Sequence, residues 1–136
     1  MTEKTITKID IRGYHLDGYQ HVNNARYLEF LEEGRWQHYE NISTEAYAKL
    51  GFAFVIVNIN INYRLPAIFG DVIRIETNIE KIGNSSLVFN QVIFNDKNDK
   101  VVCDAKITFV ILNQKTGKPF VIDETFRELL LKEVSM

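Results

Sequence analysis

Residues 52–65, FAFVIVNININYRL, constrain the fold of this chain more than any other stretch. Val55, Val57, Ile59, Ile61, Tyr63 and Leu65 alternate with Asn58, Asn60, Asn62 and Arg64. Successive side chains of a strand point to opposite faces, so the pattern predicts a long strand with an apolar and a polar face. Pro66 stops it and Gly70-Asp71 supplies a turn. Alternation resumes in VIRIETNIEKI, residues 72–82. Gly83-Asn84 turns the chain into SSLVFNQVIF, residues 85–94. The polar tip NDKNDK, residues 95–100, leads to VVCDAKITFVIL, residues 101–112. Four long strands in succession predict an antiparallel meander. Earlier, TITKIDIRG, residues 5–13, carries Ile6, Ile9 and Ile11 among polar neighbours and reads as a first strand, imperfect at Thr7–Lys8 and ended at Gly13.

Between the first strand and the meander, no proline or β-branched residue falls from Asn24 to Tyr39, and apolar side chains recur at Ala25, Tyr27, Leu28, Phe30, Leu31 and Trp36. This predicts a helix roughly 24 Å long at ~1.5 Å per residue. Gly34 inside it costs ~1 kcal/mol relative to alanine, which predicts close approach of another backbone such as a sheet face. STEAYAKL, residues 43–50, reads as a short helix ended by Gly51, and DETFRELLLKEV, residues 123–134, as a terminal helix with Asp123 as N-cap and Leu129 and Leu130 on its apolar side. A mostly apolar helix beside a long antiparallel sheet is buried when the sheet curls around it. The expectation is a single α+β domain over residues 1–136, a long central helix wrapped by a curved antiparallel sheet of about five strands, with an extra C-terminal helix. Long edge strands predict pairing of sheet edges in an oligomer.

Composition narrows the function. A formal charge of −2 lacks the basic face of a nucleic-acid binder, so no nucleic-acid partner is expected. No apolar run approaches the ~18 residues of a membrane span, and the start, MTEKTITKID, is unlike a secretory signal, so a cytoplasmic location and no membrane partner are expected. The single cysteine, Cys103, reads as a small buried hydrophobe. His15, His21 and His38 lack metal-ligand spacing, and no phosphate-binding glycine loop or nucleophile elbow is present, so neither metal nor cofactor is expected.

One polar stretch stands out, residues 12–24, RGYHLDGYQHVNN, at the start of the long helix. Asn23 is a good N-cap, since its side-chain oxygen can accept from a free N–H one turn in. The N–H groups of Asn24 and Ala25 then lack intrahelical partners and lie at the positive end of the helix dipole. A carboxylate just upstream, Asp17, beside such a donor pair is a device for attacking a carbonyl. Taken singly, these residues also read plainly: Asp17 as a turn cap before Gly18, His21 as a hydrogen-bonding loop residue, Glu29, Glu32 and Glu33 as a solvated face pairing with Arg26 or Arg35.

At DGYQHVNNARYLEFLEEGR, residues 17–35, the sequence resembles the hotdog-fold thioesterases, both the branch named for 4-hydroxybenzoyl-CoA thioesterase and the bacterial acyl-CoA thioesterases with an Asp…His-Val-Asn-Asn signature. NYRLPAIFGDVIRIE, residues 62–76, KIGNSSLVF, residues 81–89, and the TGKP turn, residues 116–119, are also similar. LDGYQHVNN resembles the acyl-carrier-protein thioesterases as well. The resemblance implies a hotdog fold and hydrolysis of an acyl thioester, carried by CoA or by a carrier protein, in a homodimer or homotetramer with the site at the subunit interface. It implies Asp17 as the catalytic carboxylate, His21 in a catalytic or positioning role and the Asn24 N–H as the donor that polarises the thioester carbonyl. Gln20 stands where the CoA branch usually has glycine, and Tyr19 where the carrier-protein branch has a functional asparagine. Another branch uses a helix glutamate, for which Glu32 or Glu33 would serve. Substrate contacts are expected at Tyr19 and Asn23, along an acyl channel including Leu28, Leu31, Phe52 and Phe54, and for pantetheine and nucleotide at Arg64, Lys81, Ser85 and Ser86. The competing expectations are a hotdog protein that binds acyl thioesters without cleaving them, and an enoyl-CoA hydratase-type enzyme.

Overall fold

A computed structural model describes residues 4–40 and 51–131 of the chain. The elements are β1 (Thr5–Asp10), a single 3-10 turn (Gly13–His15), α1 (Asn24–Glu40), β2 (Phe52–Tyr63), β3 (Val72–Ile82), β4 (Ser86–Asn95), β5 (Val101–Asn113) and α2 (Glu124–Leu131). The short helix expected at residues 43–50 and the last residues expected in the terminal helix lie outside the described residues.

The five strands form one antiparallel sheet in the order β1-β3-β4-β5-β2. The expected meander therefore holds for β3, β4 and β5 but not for β2. That strand crosses to the far edge and pairs with β5 from Phe52↔Asn113 to Tyr63↔Cys103. Its departure at Pro66 leaves β3 free to pair instead with β1, from Thr5↔Thr77 to Asp10↔Val72. The segment containing Gly70-Asp71 is a crossover and not a hairpin turn.

Two facings differ from the sequence pattern. In β2 the register shifts between Ile56 and Asn58, leaving Val57 as an extra residue. Phe54 and Ile56 lie opposite the buried Ile111 and Phe109, and past the bulge Ile59 and Ile61 lie opposite the buried Ile107 and Ala105. Opposed residues share a face. Phe54, Ile56, Ile59, Ile61 and Tyr63 therefore face inward, while Val55 and Val57 leave the apolar face on which plain alternation placed them. In β1 the buried positions are Thr5 and Thr7, and Ile6 points out. The inward threonines find partners on α1: Thr7 Oγ1 donates to Gln37 Oε1 at 3.1 Å, and Thr5 Oγ1 lies 2.8 Å from His38 Nδ1. Two polar partners on the facing helix make hydroxyls suitable at positions that isoleucine would otherwise fill.

Helix α1 lies across the inner face of the sheet. Gly34 is the point of closest approach: a Cβ there would sit 2.9 Å from Thr77 Oγ1 and 3.0 Å from both Gln91 Nε2 and Ile75 Cγ2. Beside it, Gln91 donates to the Leu31 carbonyl at 2.8 Å and to Thr77 Oγ1 at 2.9 Å. The core on this face contains Leu31, Ile73, Ile75, Leu87, Phe89, Ile93, Ile107 and Ile111. Cys103 is buried within it, and burial pushes its thiol up to about 12. Asp123 caps α2 as expected, its Oδ1 accepting from the Phe126 N–H at 2.8 Å, and Phe126 and Leu130 are buried. No helix among the described residues is long and apolar enough to cross a membrane.

Candidate active site

The start of α1 is fixed from both sides. Asn23 Oδ1 accepts from the Ala25 N–H at 3.0 Å, which is the expected cap. The cap also changes the expected donor pair. The Ala25 N–H is occupied, while the Asn24 N–H has no acceptor among the described residues. One free donor remains at the positive end of a 17-residue helix.

The preceding loop is closed by its own backbone. Leu16 and Val22 form an isolated antiparallel bridge, and the Asp17 N–H donates to the His21 carbonyl at 2.8 Å. Asp17 Oδ1 accepts from the Tyr19 N–H at 2.8 Å and the His21 N–H at 3.3 Å. No hydrogen bond among the described residues engages Oδ2. Gln20 has φ +63°, the left-handed region that glycine adopts without strain, so the glycine usual in the resembling CoA branch has a local backbone cause. The loop is anchored by the buried His15, whose Nδ1 accepts from the Arg12 N–H at 2.9 Å and whose carbonyl accepts from the Asn23 N–H at 2.9 Å. Burial lowers the His15 pKa from its ordinary value.

Two tyrosines complete the cleft, and neither carries a local sequence signal. The Tyr27 hydroxyl on α1 accepts from the Ala67 N–H at 3.2 Å, tying the helix to the crossover after Pro66. Tyr63, at the end of β2, packs against Tyr27 with ring centroids 5.6 Å apart and donates its hydroxyl to the Asn24 carbonyl at 3.3 Å. The result is a cleft of about 340 Å³ whose walls include Asp17, His21, Asn24, Tyr27, Tyr63 and Arg64. Arg64 is paired, its Nε donating to Asp104 Oδ2 at 2.7 Å.

The other expected site residues are spread more widely. Tyr19 is 84% exposed and does not line the cleft. Asn23 is held as the cap. Lys81, Ser85 and Ser86 lie at the opposite end of β3 from the cleft, about 30 Å away along the strand. Leu31 and Phe52 are core residues, and Leu28 is partly exposed. Glu33 accepts from the Gln37 side chain at 3.1 Å, and Glu29 pairs with Arg26 at 2.9 Å.

Glu32 lines a second, larger cavity of about 440 Å³, together with Arg35, Trp36, Phe54, Ile56 and Phe109. Both cavities lie on the seam between α1 and β2, which run in opposite senses. Tyr27 meets Tyr63 at one end, and Tyr39 stacks on Phe54 at 5.7 Å at the other. By helical spacing, Leu28 falls on the stripe that joins Asn24 to Glu32. The seam thus has a polar cleft at the helix start and a separate, largely aromatic cavity near its end.

A long helix wrapped by one curved antiparallel sheet is the arrangement of the hotdog class. Residues 11–130 match the model of the thioesterase-like superfamily. The chain is 48% identical over 125 residues to the long-chain acyl-CoA thioesterase FadM of Escherichia coli strain K12, covering 91% of this chain and 95% of that protein. It is 27% identical over 117 residues to the chloroplastic acyl-acyl carrier protein thioesterase ATL3 of Arabidopsis thaliana, covering 85% of this chain and 62% of that protein. The crystal structure of the probable thioesterase YbaW from Escherichia coli superposes with a TM-score of 0.89 at 46% identity, covering 96% of this chain and 98% of that one. The chain belongs to the thioesterase-like superfamily, and it is a hotdog-fold thioester hydrolase.

Proposed function

We propose that this protein hydrolyses long-chain acyl-CoA thioesters, with Asp17 as the acting carboxylate and the Asn24 N–H as the carbonyl donor. The observation that carries the reading is the cleft itself: Asp17, His21 and an unengaged helix-start amide share one 340 Å³ space. The choice of CoA over a carrier protein rests on the greater likeness to the bacterial acyl-CoA enzyme than to the plant carrier-protein enzyme.

With the thioester oxygen against the Asn24 N–H, negative charge developing on that oxygen meets a fixed donor and a helix dipole. Donors of this kind are worth roughly 3–4 kcal/mol each. The two loop amides fix Asp17 through Oδ1, leaving Oδ2 to act on the carbonyl carbon or on a water beside it. In the first case the Asp17–acyl anhydride forms as the C–S bond breaks, and water then hydrolyses it. In the second, water adds directly while Oδ2 takes its proton. His21, on the cleft wall, supplies a proton to the departing thiolate. In a single turnover in ¹⁸O-water, label in the Asp17 carboxylate marks the anhydride route with water adding at the Asp17 carbon, whereas trapping of an acyl-enzyme by hydroxylamine reads the anhydride whichever carbon water attacks.

Asp17→Asn should lower thiol release from hexadecanoyl-CoA by about 10²-fold or more with the melting temperature preserved. Near-normal release from every acyl-CoA in a panel of chain lengths would remove Asp17 from the chemistry. The same proposal includes a cytoplasmic location and a homo-oligomer. Lys81, Ser85 and Ser86 would reach a substrate only in an assembly that brings a second copy's β3–β4 turn to the cleft.

A further inference from the structure

Arg35 has no obvious reason to be in an apolar cavity. Its side chain is buried, with 6% of the residue exposed. A guanidinium offers five N–H donors. One goes to Gln91 Oε1 at 3.0 Å, and no acceptor among the described residues takes the others. The group lies 5.5 Å from the centre of the Phe109 ring and lines the larger cavity. No carboxylate among the described residues forms an ion pair with it, although Glu32 shares the cavity wall. Burial lowers its pKa from the ordinary value, a sign of how poorly the site solvates the charge. Apart from Tyr39, the other described residues of the wall, Trp36, Phe54, Ile56 and Phe109, are aromatic or aliphatic.

We infer that this cavity receives the distal part of the acyl chain and that Arg35 and Glu32 select chains carrying a hydroxyl there. The inference rests on the proposed acyl-CoA hydrolysis for the path of the chain, from the Asn24 amide along the α1–β2 seam. Glu32 and Arg35 lie about 12 and 16 Å beyond Asn24 along the helix axis, which corresponds to roughly the tenth to thirteenth carbon of an extended chain. A saturated chain would displace water from the free guanidinium donors and return no hydrogen bond. A terminal carboxylate would pair with Arg35 but meet the like charge of Glu32. A hydroxyl accepts from one and donates to the other.

The test uses 12-hydroxyoctadecanoyl-CoA and octadecanoyl-CoA in a thiol-release assay, with binding of the two free acids followed by fluorescence of Trp36, the chain's one tryptophan. The wild type should favour the hydroxylated ester by about tenfold in kcat/KM, and the hydroxy acid should bind more tightly by a similar factor. Arg35→Met should bring both ratios to about one. An Arg35 that merely braces α1 against Gln91 would lower the melting temperature and leave the ratios unchanged. Glu32→Ala, on the exposed rim, should reduce the preference severalfold and serves if Arg35→Met does not fold. Equal handling of the two chains by the wild type, or a preference that survives both substitutions, overturns the inference while leaving hydrolysis intact. A Trp36-reported preference for the hydroxy acid without cleavage of either ester would overturn the proposed hydrolysis and uphold the cavity's selectivity.

Discussion

At the scale of single residues, the site depends on two backbone facts. Asp17 is held by amides of its own loop, and Asn24 presents its N–H because Asn23 caps the next one along. The second fact gives a test that leaves side-chain chemistry at Asp17 untouched. Proline lacks an N–H yet fits the first position of a helix, where that N–H has no intrahelical partner. Asn24→Pro should therefore fold with a melting temperature close to wild type but lose about 10²–10³ in kcat, read by thiol release from hexadecanoyl-CoA. A full-rate, folded Asn24→Pro enzyme would show that another group polarises the carbonyl. The block from Asp17 to Asn24 was legible in the sequence because its interactions span only a few residues. Tyr27 and Tyr63 were not: their hydroxyls reach Ala67 and Asn24, 40 and 39 residues away.

At the scale of elements, the contact between α1 and the sheet is set by a missing side chain. Gly34 lets the helix approach Thr77, Gln91 and Ile75, and the Gln91 side chain then reaches the Leu31 carbonyl at 2.8 Å. Gly34→Ala gains ~1 kcal/mol of helix propensity. The added methyl must displace three neighbours, two of them in a buried hydrogen-bond network, at a cost of about 1–3 kcal/mol. The net should be destabilising, read as a lower urea midpoint, and a raised midpoint would mean that the helix stands further from the sheet. Asn23→Ala should cost about 1 kcal/mol through the lost cap, measured in the same experiment. The sequence pointed to Gly34 as a close approach but did not say to what. It also hid the β2 bulge, because one extra residue exchanges the faces of everything before it, and both candidate faces there are apolar, Val55 and Val57 on one and Phe54 and Ile56 on the other.

At the scale of the whole molecule, folding buries a histidine that the chemistry does not use. His38 is fully buried, its Nδ1 beside Thr5 Oγ1 and its Nε2 without a partner among the described residues. Burial pushes its pKa down from 6.5 to about 4. Between these values the unfolded chain binds a proton that the folded chain excludes, so stability is complete above about pH 6.5 and falls as pH drops towards 4, by an amount on the order of 3 kcal/mol. Urea melts of the wild type and His38→Gln between pH 7 and 4.5 test this. The wild type should lose more stability than the variant, and parallel curves would refute the assignment. The same scale holds the exposed β2 edge, where Val55, Val57 and Ile59 stand open. Val57→Lys should shift the proposed oligomer towards monomer in sedimentation velocity, because a buried edge does not tolerate an unpaired charge.

By itself, the sequence determined that there would be a long helix, a set of long antiparallel strands and a carboxylate-bearing loop at the helix start. Those features follow from periodicity, capping and steric rules that act over a few residues. Long-range packing put β2 at the far edge beside β5, turned Phe54 and Ile56 inward, left one helix-start amide free and brought Arg35 into a largely aromatic cavity. Each of those depends on which distant surface meets the segment, and a local pattern of apolar and polar residues is compatible with more than one such partner.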